Sequence, residues 1–147
     1  MKYKPTDAEL EILQVLWQNG AATVRTINDA LNKDNDDTIG YTTTLKIMQI
    51  MAEKGLLSRD ESNRTHIYTA EVREDEVQQA FVSKLMDSVF RGSAMKLVLQ
   101  ALGSGKTSTS ELQQIRALLD EELENNANRT AEETAAHTPS TRKKSSK

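Results

Sequence analysis

Residues 38–55 read TIGYTTTLKIMQIMAEKG, and this stretch decides the fold because it has the spacing of an amphipathic helix. Its apolar side chains recur at steps of three and four residues, which places them on one side of a helix. We therefore predict a helix that packs this side against a core. The apolar side comprises Tyr41, Leu45, Met48 and Met51, with Ile47 and Ala52 beside them.

The opposite side of this helix carries Thr42, Thr43, Lys46 and Gln49. Short hydroxyls, an amide and one cation can hydrogen-bond to base edges and phosphates, and threonine methyls can contact thymine methyls. This side therefore favours DNA binding. The alternative is a solvent-exposed helix that happens to be rich in threonine, and the neighbouring segments decide between the two.

The preceding segment predicts two further helices. Thr6 and Glu9 have the spacing of a capping box that starts a first helix, and Asn19-Gly20 ends it. Trp17 falls on the apolar stripe of that helix, so a role as a core anchor is favoured over a stacking platform. Thr23 can cap a second, shorter helix before the polar stretch NKDNDD.

The following segment predicts a hairpin. Residues 56–60 and 65–69 have the composition of two short strands, and the turn between them contains Arg64. Three helices and a hairpin predict a winged helix-turn-helix over residues 1–72, with the third helix placed to enter a major groove. The fold class is thus mainly α with a small β-hairpin wing.

Charge does not by itself point to a nucleic-acid partner, because the formal net charge of the 147 residues is -3. Any affinity for DNA must come from the local placement of cations, of which Arg59 and Arg64 follow the threonine-rich helix. The predicted DNA-binding residues are Thr42, Thr43, Lys46, Gln49, Arg59 and Arg64.

Residues 73–123 predict a helical dimerisation domain of three helices, the last opened by Ser108 and Glu111 at capping-box spacing. Their apolar stripes exceed what about fifty residues can bury alone, so a second copy of the chain is the favoured cover. Packing against the winged domain of the same chain is the alternative. The predicted dimerisation residues are Val77, Phe81, Leu85, Val89, Leu97, Val98, Leu102, Leu112, Ile115 and Leu119.

Residues 124–147 contain almost no large apolar side chain and predict a disordered polar tail. The sequence has no cysteine, which excludes disulfides, thiolate metal sites and a cysteine nucleophile. His66 has no ligand partners at metal spacing, and no phosphate loop or hydrolase motif is present, so we predict no metal, no cofactor and no enzymatic activity. Without a signal core or a long apolar run, a cytoplasmic protein is expected.

Several segments of the chain, in this order and spacing, resemble the penicillinase repressor family of bacterial winged-helix regulators. They are PTDAELEILQVLW, YTTTLKIMQIMAEKGLL, NRTHIYTA, and MKLVLQAL followed by TSTSELQQIRALLDEEL. The resemblance spans about residues 3–123. It implies a homodimer that represses transcription on a palindromic operator, with C-terminal helices intertwined between the two protomers. It also implies DNA contacts on Thr42, Thr43, Lys46 and Gln49 and on Arg64 in the wing.

The resemblance also implies a membrane sensor protease as a partner, but the residues at the expected cleavage position differ from those of the family. In the best-known members, a membrane sensor protease triggers cleavage at an Asn-Phe bond in a stretch similar to LVLQAL, whereas this chain has Gln100-Ala101 there. Copper-responsive relatives carry a C-terminal cysteine cluster that this chain lacks. Ile50 stands where many relatives have a cation, which predicts weaker phosphate binding or an altered operator.

The leading hypothesis from the sequence is a sequence-specific transcriptional repressor that binds double-stranded DNA. The alternative is a winged-helix protein-protein interaction module with a helical dimerisation domain, since the same fold serves both roles. A protein-binding helix would expose large apolar groups, and Thr42, Thr43, Lys46 and Gln49 supply none.

Overall fold

The computed structural model describes residues 4–33 and 37–137, and these residues form helices and one two-stranded antiparallel sheet. The order of three helices, a hairpin and three further helices confirms the predicted fold class. In chain order the elements are α1 (Asp7–Asn19), α2 (Val24–Asn32), α3 (Tyr41–Glu53), β1 (Leu57–Asp60), β2 (Ile67–Ala70), α4 (Glu74–Ser88), α5 (Ala94–Gly103) and α6 (Thr109–Ala136).

The first helix begins and ends as its sequence predicts. The Glu9 backbone N–H donates to Thr6 Oγ1 at 3.2 Å, and the Thr6 backbone N–H donates to Glu9 Oε1 at 3.1 Å, which is a complete capping box. Gly20 follows the helix with a φ of 80°, a left-handed conformation that favours glycine. Thr23 likewise accepts from the Thr26 backbone N–H and caps α2.

The end of α3 turns the chain toward the wing. Gly55 has a φ of 82° and donates its N–H to the Ala52 carbonyl at 3.1 Å, while the Leu56 N–H donates to the Met51 carbonyl at 2.9 Å. This pair of bonds is a Schellman motif, which satisfies carbonyls at a helix end and reverses the chain. The motif therefore directs Leu56 into the core immediately before β1.

The two strands of the hairpin pair with each other, and Ala22 joins the hairpin to the helices. Leu57 pairs with Ala70 and Asp60 with Ile67, which shifts the strands by one or two residues from the predicted ranges. Ala22, between α1 and α2, exchanges two backbone hydrogen bonds with Tyr68 at 3.0 and 2.9 Å. Because these bonds link β2 to the connection before α2, the wing is attached to the helices through backbone as well as side chains.

The core lies among the first three helices and the hairpin. Trp17 packs against this core and donates its Nε1–H to the Val72 carbonyl at 3.0 Å, which supports its role as a core anchor. That bond holds the segment after β2 against α1. The buried apolar residues of the core are Ile12, Leu13, Leu16, Ala22, Val24, Ile27, Met48, Met51, Leu56, Leu57 and Tyr68.

The chain divides into two compact units, and the division falls between Ala94 and Met95, later than the predicted boundary at residue 72. We refer to the first, which ends at Ala94, as the winged unit. Helix α4 therefore belongs to the winged unit and not to the C-terminal unit. The Trp17 bond to Val72 and the burial of Val77, which is 1% exposed, explain this, since both attach the start of α4 to the first unit.

The prediction of a disordered tail from residue 124 was wrong, because helix α6 extends beyond that residue. The helix continues to Ala136, and Thr130 and Thr134 each donate a hydroxyl hydrogen bond to a carbonyl one turn earlier. Residues 124–136 contain neither glycine nor proline, so a helix started at Ser108 can propagate without a break. The rest of the predicted tail, residues 138–147, lies outside the described residues.

Candidate nucleic-acid interface

Helix α3 presents the four residues that its sequence predicts for DNA binding on one exposed side. Thr42, Thr43, Lys46 and Gln49 are all exposed, whereas the intervening Met48 and the later Met51 are 0% exposed. Residues at steps of three and four lie on one side of a helix, so the polar groups form a continuous surface opposite the core. We refer to these four residues as the α3 polar face.

Two residues of α3 depart from the predicted division between the core and the polar side. Tyr41 was expected in the core but is 44% exposed, because it is the first residue of the helix and lies beyond the core. Thr44, which neither side was predicted to include, is 0% exposed. Thr44 precedes Met48 by four residues and Met51 by seven, so helical spacing alone would have identified it as buried.

The burial of Thr44 depends on a polar network between α2 and α3. The Asn28 amide donates to Thr44 Oγ1 at 2.8 Å and to the Ile39 carbonyl at 3.0 Å. The Asn32 side chain donates to the same carbonyl at 2.9 Å and accepts from the Ile39 N–H at 2.7 Å. Buried polar groups that are paired in this way fix geometry, so the network sets how α3 leaves the turn after α2.

A second buried polar contact holds the other end of α3. Lys54 Nζ lies 3.1 and 3.3 Å from the two carboxylate oxygens of Glu9, which is only 3% exposed. Burial alone would raise the pKa of Glu9, but hydrogen bonds from Thr6 and Lys54 outweigh burial and lower the pKa. Glu9 therefore stays ionised and connects the start of α1 to the end of α3.

Arg64 is placed as predicted, in the turn of the wing. It is exposed and forms no ion pair with any described carboxylate. The turn begins where the Ser62 backbone N–H donates to Asp60 Oδ1 at 2.9 Å, and hydrogen bonds from Ser62 lower the pKa of Asp60. Arg64 can thus approach a polyanion as an unpaired cation.

Arg59 differs from Arg64 because it already has an anionic partner. Its guanidinium pairs with the Glu61 carboxylate, and its strand position lies opposite Tyr68. The side chains of Tyr68 and Glu61 together raise the pKa of Arg59. A groove of about 610 Å³ includes Arg59, Glu61 and Gln49 in its lining, so the structure places Arg59 beside the α3 polar face, with a carboxylate that would compete with phosphate.

The predicted dimerisation residues differ in their solvent exposure in the single chain. Leu85, Val89, Val98, Leu112 and Leu119 are exposed, with Val89 at 61%. Phe81, Leu97, Leu102 and Ile115 are half-buried.

One predicted dimerisation residue is corrected. Val77 is buried within the first unit, because the first turn of α4 follows directly on the segment held by Trp17, and it therefore has no surface for a partner. Gln100 and Ala101 are both exposed within helix α5.

Within the two described ranges, 4–33 and 37–137, no three His, Cys, Asp or Glu side chains are grouped as metal ligands. His66 is exposed beside β2. None of the helices that the structure describes is long and apolar enough to cross a membrane.

Comparison with known proteins identifies relatives over most of the chain. A profile of the penicillinase repressor family matches residues 5–121. The penicillinase repressor of Bacillus licheniformis is 22% identical over 116 residues, which is 79% of this chain and 89% of that protein. The methicillin resistance regulatory protein MecI of Mammaliicoccus sciuri is 22% identical over 118 residues, 80% of this chain and 94% of that protein.

Among solved structures, the solution structure of the DNA binding domain of the repressor BlaI covers 52% of this chain and 93% of its own, at 27% identity and a TM-score of 0.44. The family match covers the winged unit and continues through α5 into α6. The chain belongs to the penicillinase repressor family.

Proposed function

We propose that this chain represses transcription as a homodimer that binds a palindromic operator in double-stranded DNA. Its family consists of transcriptional repressors, which are not enzymes. The observation that carries the proposal is the α3 polar face, whose hydroxyl, amide and ammonium groups are exposed while the methionines behind them are buried. A rigid helix with these groups on its outer side suits insertion into a major groove.

The chemistry of the α3 polar face matches the hydrogen-bonding groups of base edges. A lysine such as Lys46 can donate to guanine, a glutamine such as Gln49 can pair with adenine, and the methyl groups of Thr42 and Thr43 can contact thymine methyls. The exposed large hydrophobic side chains of α3 are Tyr41, 44% exposed, and Ile50, 39% exposed. Two such residues are fewer than the apolar patches that bind proteins contain, so DNA is favoured over a protein partner.

The C-terminal helices supply the argument for a homodimer. Neither α5 nor α6 contains a buried residue in the single chain, and apolar side chains such as Leu99, Leu118 and Leu123 are more than half exposed. Leaving so much apolar surface in water is unfavourable, and a second copy offers an identical surface to cover it. A two-fold dimer would present two α3 helices to half-sites about one helical turn, or a multiple of it, apart.

The test begins with selection of genomic fragments bound by the purified protein, followed by footprinting to define the operator. Thr43→Ala and Lys46→Ala are each expected to cost about 1–3 kcal/mol of binding free energy on that operator and less on unrelated duplex. Lys106→Ala is the matched control, because it removes an exposed cation between α5 and α6, in the other compact unit of the chain. Unchanged operator preference in both α3 variants would show that this helix does not read sequence.

A further inference from the structure

A second groove is lined by residues of α2, the start of α3 and the wing, and the charge of its lining differs from that of the groove beside Arg59. We refer to it as the α2–wing groove. It has a volume of about 400 Å³ and includes no carboxylate in its lining, whereas the groove beside Arg59 includes Glu53 and Glu61. Its polar lining residues are Thr23, Arg25, Tyr41, Arg64, Thr65, His66 and Tyr68. The lining also includes the apolar residues Val24 and Leu45. In a chain of net charge -3, two arginines and no carboxylate around one groove point to an anionic ligand.

Arg25 is the residue of this groove that no sequence pattern identified. Its guanidinium carbon lies 5.5 Å from the centre of the Tyr41 ring, and it forms no ion pair with a described carboxylate. A guanidinium stacked on a ring keeps its N–H donors free at its edge, where they can bind an anion in two parallel hydrogen bonds. The exposed Tyr41 ring therefore lies where it can orient the Arg25 guanidinium.

We propose that the α2–wing groove binds a backbone phosphodiester of the operator, with Arg25 and Arg64 as the cationic contacts and Tyr41 as a positioning residue. The inference rests on the proposed function and adds a site to it. In a helix-turn-helix, the helix before the reading helix meets the DNA backbone, and Arg25 lies in the first turn of that helix here. Anchoring one phosphate from α2 and the wing at once fixes the depth and angle at which α3 enters the groove.

Continuity with the α3 polar face favours DNA over a small phosphorylated molecule. Tyr41 lines the groove, and the next residue, Thr42, begins the exposed polar side of α3. A duplex that contacts Thr42 therefore brings its backbone close to the groove. A free nucleotide shares the phosphate chemistry, and the experiment separates the two sources.

The first measurement is the salt dependence of binding to the selected operator and to a random-sequence duplex. Arg25→Gln is expected to make the log-log salt slope shallower by about 0.9 for each phosphate that the protein no longer neutralises, thus by about 1.8 for a dimer, on both duplexes. Tyr41→Leu keeps the cation but removes the ring, so it is expected to weaken binding with little change in slope. Arg129→Gln, which removes an exposed arginine from α6, controls for net charge.

The second measurement locates the phosphate. Single phosphates of the operator are replaced one at a time by neutral methylphosphonates. We expect one position per half-site at which the replacement weakens binding of the unmodified protein but has no further effect on Arg25→Gln, since the two changes remove the same interaction. Equal thermal unfolding midpoints for the two proteins would show that the exposed Arg25 has no part in folding.

The outcomes distinguish the failure of this inference from the failure of the proposed function. If the unmodified protein binds no duplex, both are overturned. If it binds the operator but Arg25→Gln keeps the full affinity and slope, the groove does not hold a phosphodiester and only the inference is overturned. If adenosine monophosphate binds in an Arg25-dependent manner while the DNA slope is unchanged, the ligand is a small phosphate ester and the assignment to DNA is wrong.

Discussion

The winged unit and the C-terminal helices α5 and α6 differ in how far they bury their apolar side chains. The winged unit buries Leu13, Ile27, Met48 and Met51 completely, whereas α5 and α6 bury no residue in the single chain. A domain with its own core has a stability that does not depend on concentration, while helices without one depend on a partner. In the proposed function, sequence reading and dimer formation therefore belong to two parts of the chain that differ in whether they have a core of their own.

The largest effect is expected from charge placed on the stripe of α6. The double variant Leu112→Asp and Leu119→Asp should prevent burial of these side chains against a second copy. Without the dimer, palindrome binding should weaken by about 100- to 10,000-fold, the usual contribution of linking two weak sites. Half-site affinity should stay unchanged because α3 is intact. Sedimentation and operator titration measure the two effects.

The control for this variant is Gln113→Asp, which adds a carboxylate to an exposed position of the same helix whose neighbours three and four residues away are Thr109, Ser110, Arg116 and Ala117, none of them a large apolar residue. It should leave both the dimer and palindrome affinity unchanged. If the double variant also remains a dimer with full palindrome affinity, the α6 stripe is not part of the interface.

The next effect concerns the core of the winged unit. Leu13→Ala should lower the free energy of unfolding by about 2–5 kcal/mol, because it leaves a cavity among residues that are fully buried. The same truncation at Met95, which is 73% exposed, should cost less than about 0.5 kcal/mol in the dissociated chain. Urea unfolding at several protein concentrations separates the two regions. A concentration-dependent destabilisation by Leu13→Ala would mean that the winged unit also depends on a partner.

Local features of the fold could be predicted from the sequence, whereas features that join distant segments could not. The Thr6 and Ser108 caps, the stops at Gly20 and Gly55 and the three-helix-plus-hairpin order follow from local spacing. The groove around Arg25 could not be predicted, because it joins α2 to the wing across about forty residues of sequence.

Three predictions from the sequence were wrong, and each error has a physical cause. The exposure of Tyr41 depends on where the core ends, which periodicity does not give. The placement of α4 depends on the long-range bond from Trp17 to Val72. The length of α6 was underestimated because polarity was taken as a sign of disorder, although a capped helix can propagate through a polar stretch that contains no glycine or proline. The DNA-binding and dimerisation residues remain predictions.

A smaller effect is expected from acid, and it should be confined to the winged unit. The folded-state pKa of Glu9 is lowered, so its contribution to stability is complete above the pKa of the unfolded chain. That contribution is lost as the pH falls through the lower pKa of the folded state. Glu9→Gln should cost about 1–3 kcal/mol at neutral pH, the usual loss for a buried hydrogen-bonded group. It should also flatten the decline of stability below about pH 4.5, in the acid range of Glu.

Unfolding by urea between pH 3 and pH 7 measures this. Glu121→Gln, an exposed glutamate of α6, should leave the profile of the winged unit unchanged. A decline of equal steepness in Glu9→Gln and the unmodified protein would assign the acid sensitivity to other carboxylates.

The smallest effect is expected from freeing Arg59. Glu61→Gln removes the carboxylate that pairs with this guanidinium, and an exposed ion pair contributes only about 0–1 kcal/mol, so stability should hardly change. The released Arg59, beside Gln49 in its groove, should then reach a phosphate, raising affinity for duplex DNA and steepening the salt slope by up to about 0.9 per protomer. Glu121→Gln makes the same change of net charge in the C-terminal helices and separates local from global charge. If both variants raise affinity equally, the gain comes from the charge of the whole protein; if only Glu61→Gln does so, the Glu61 pairing restrains Arg59 and limits binding to unrelated DNA.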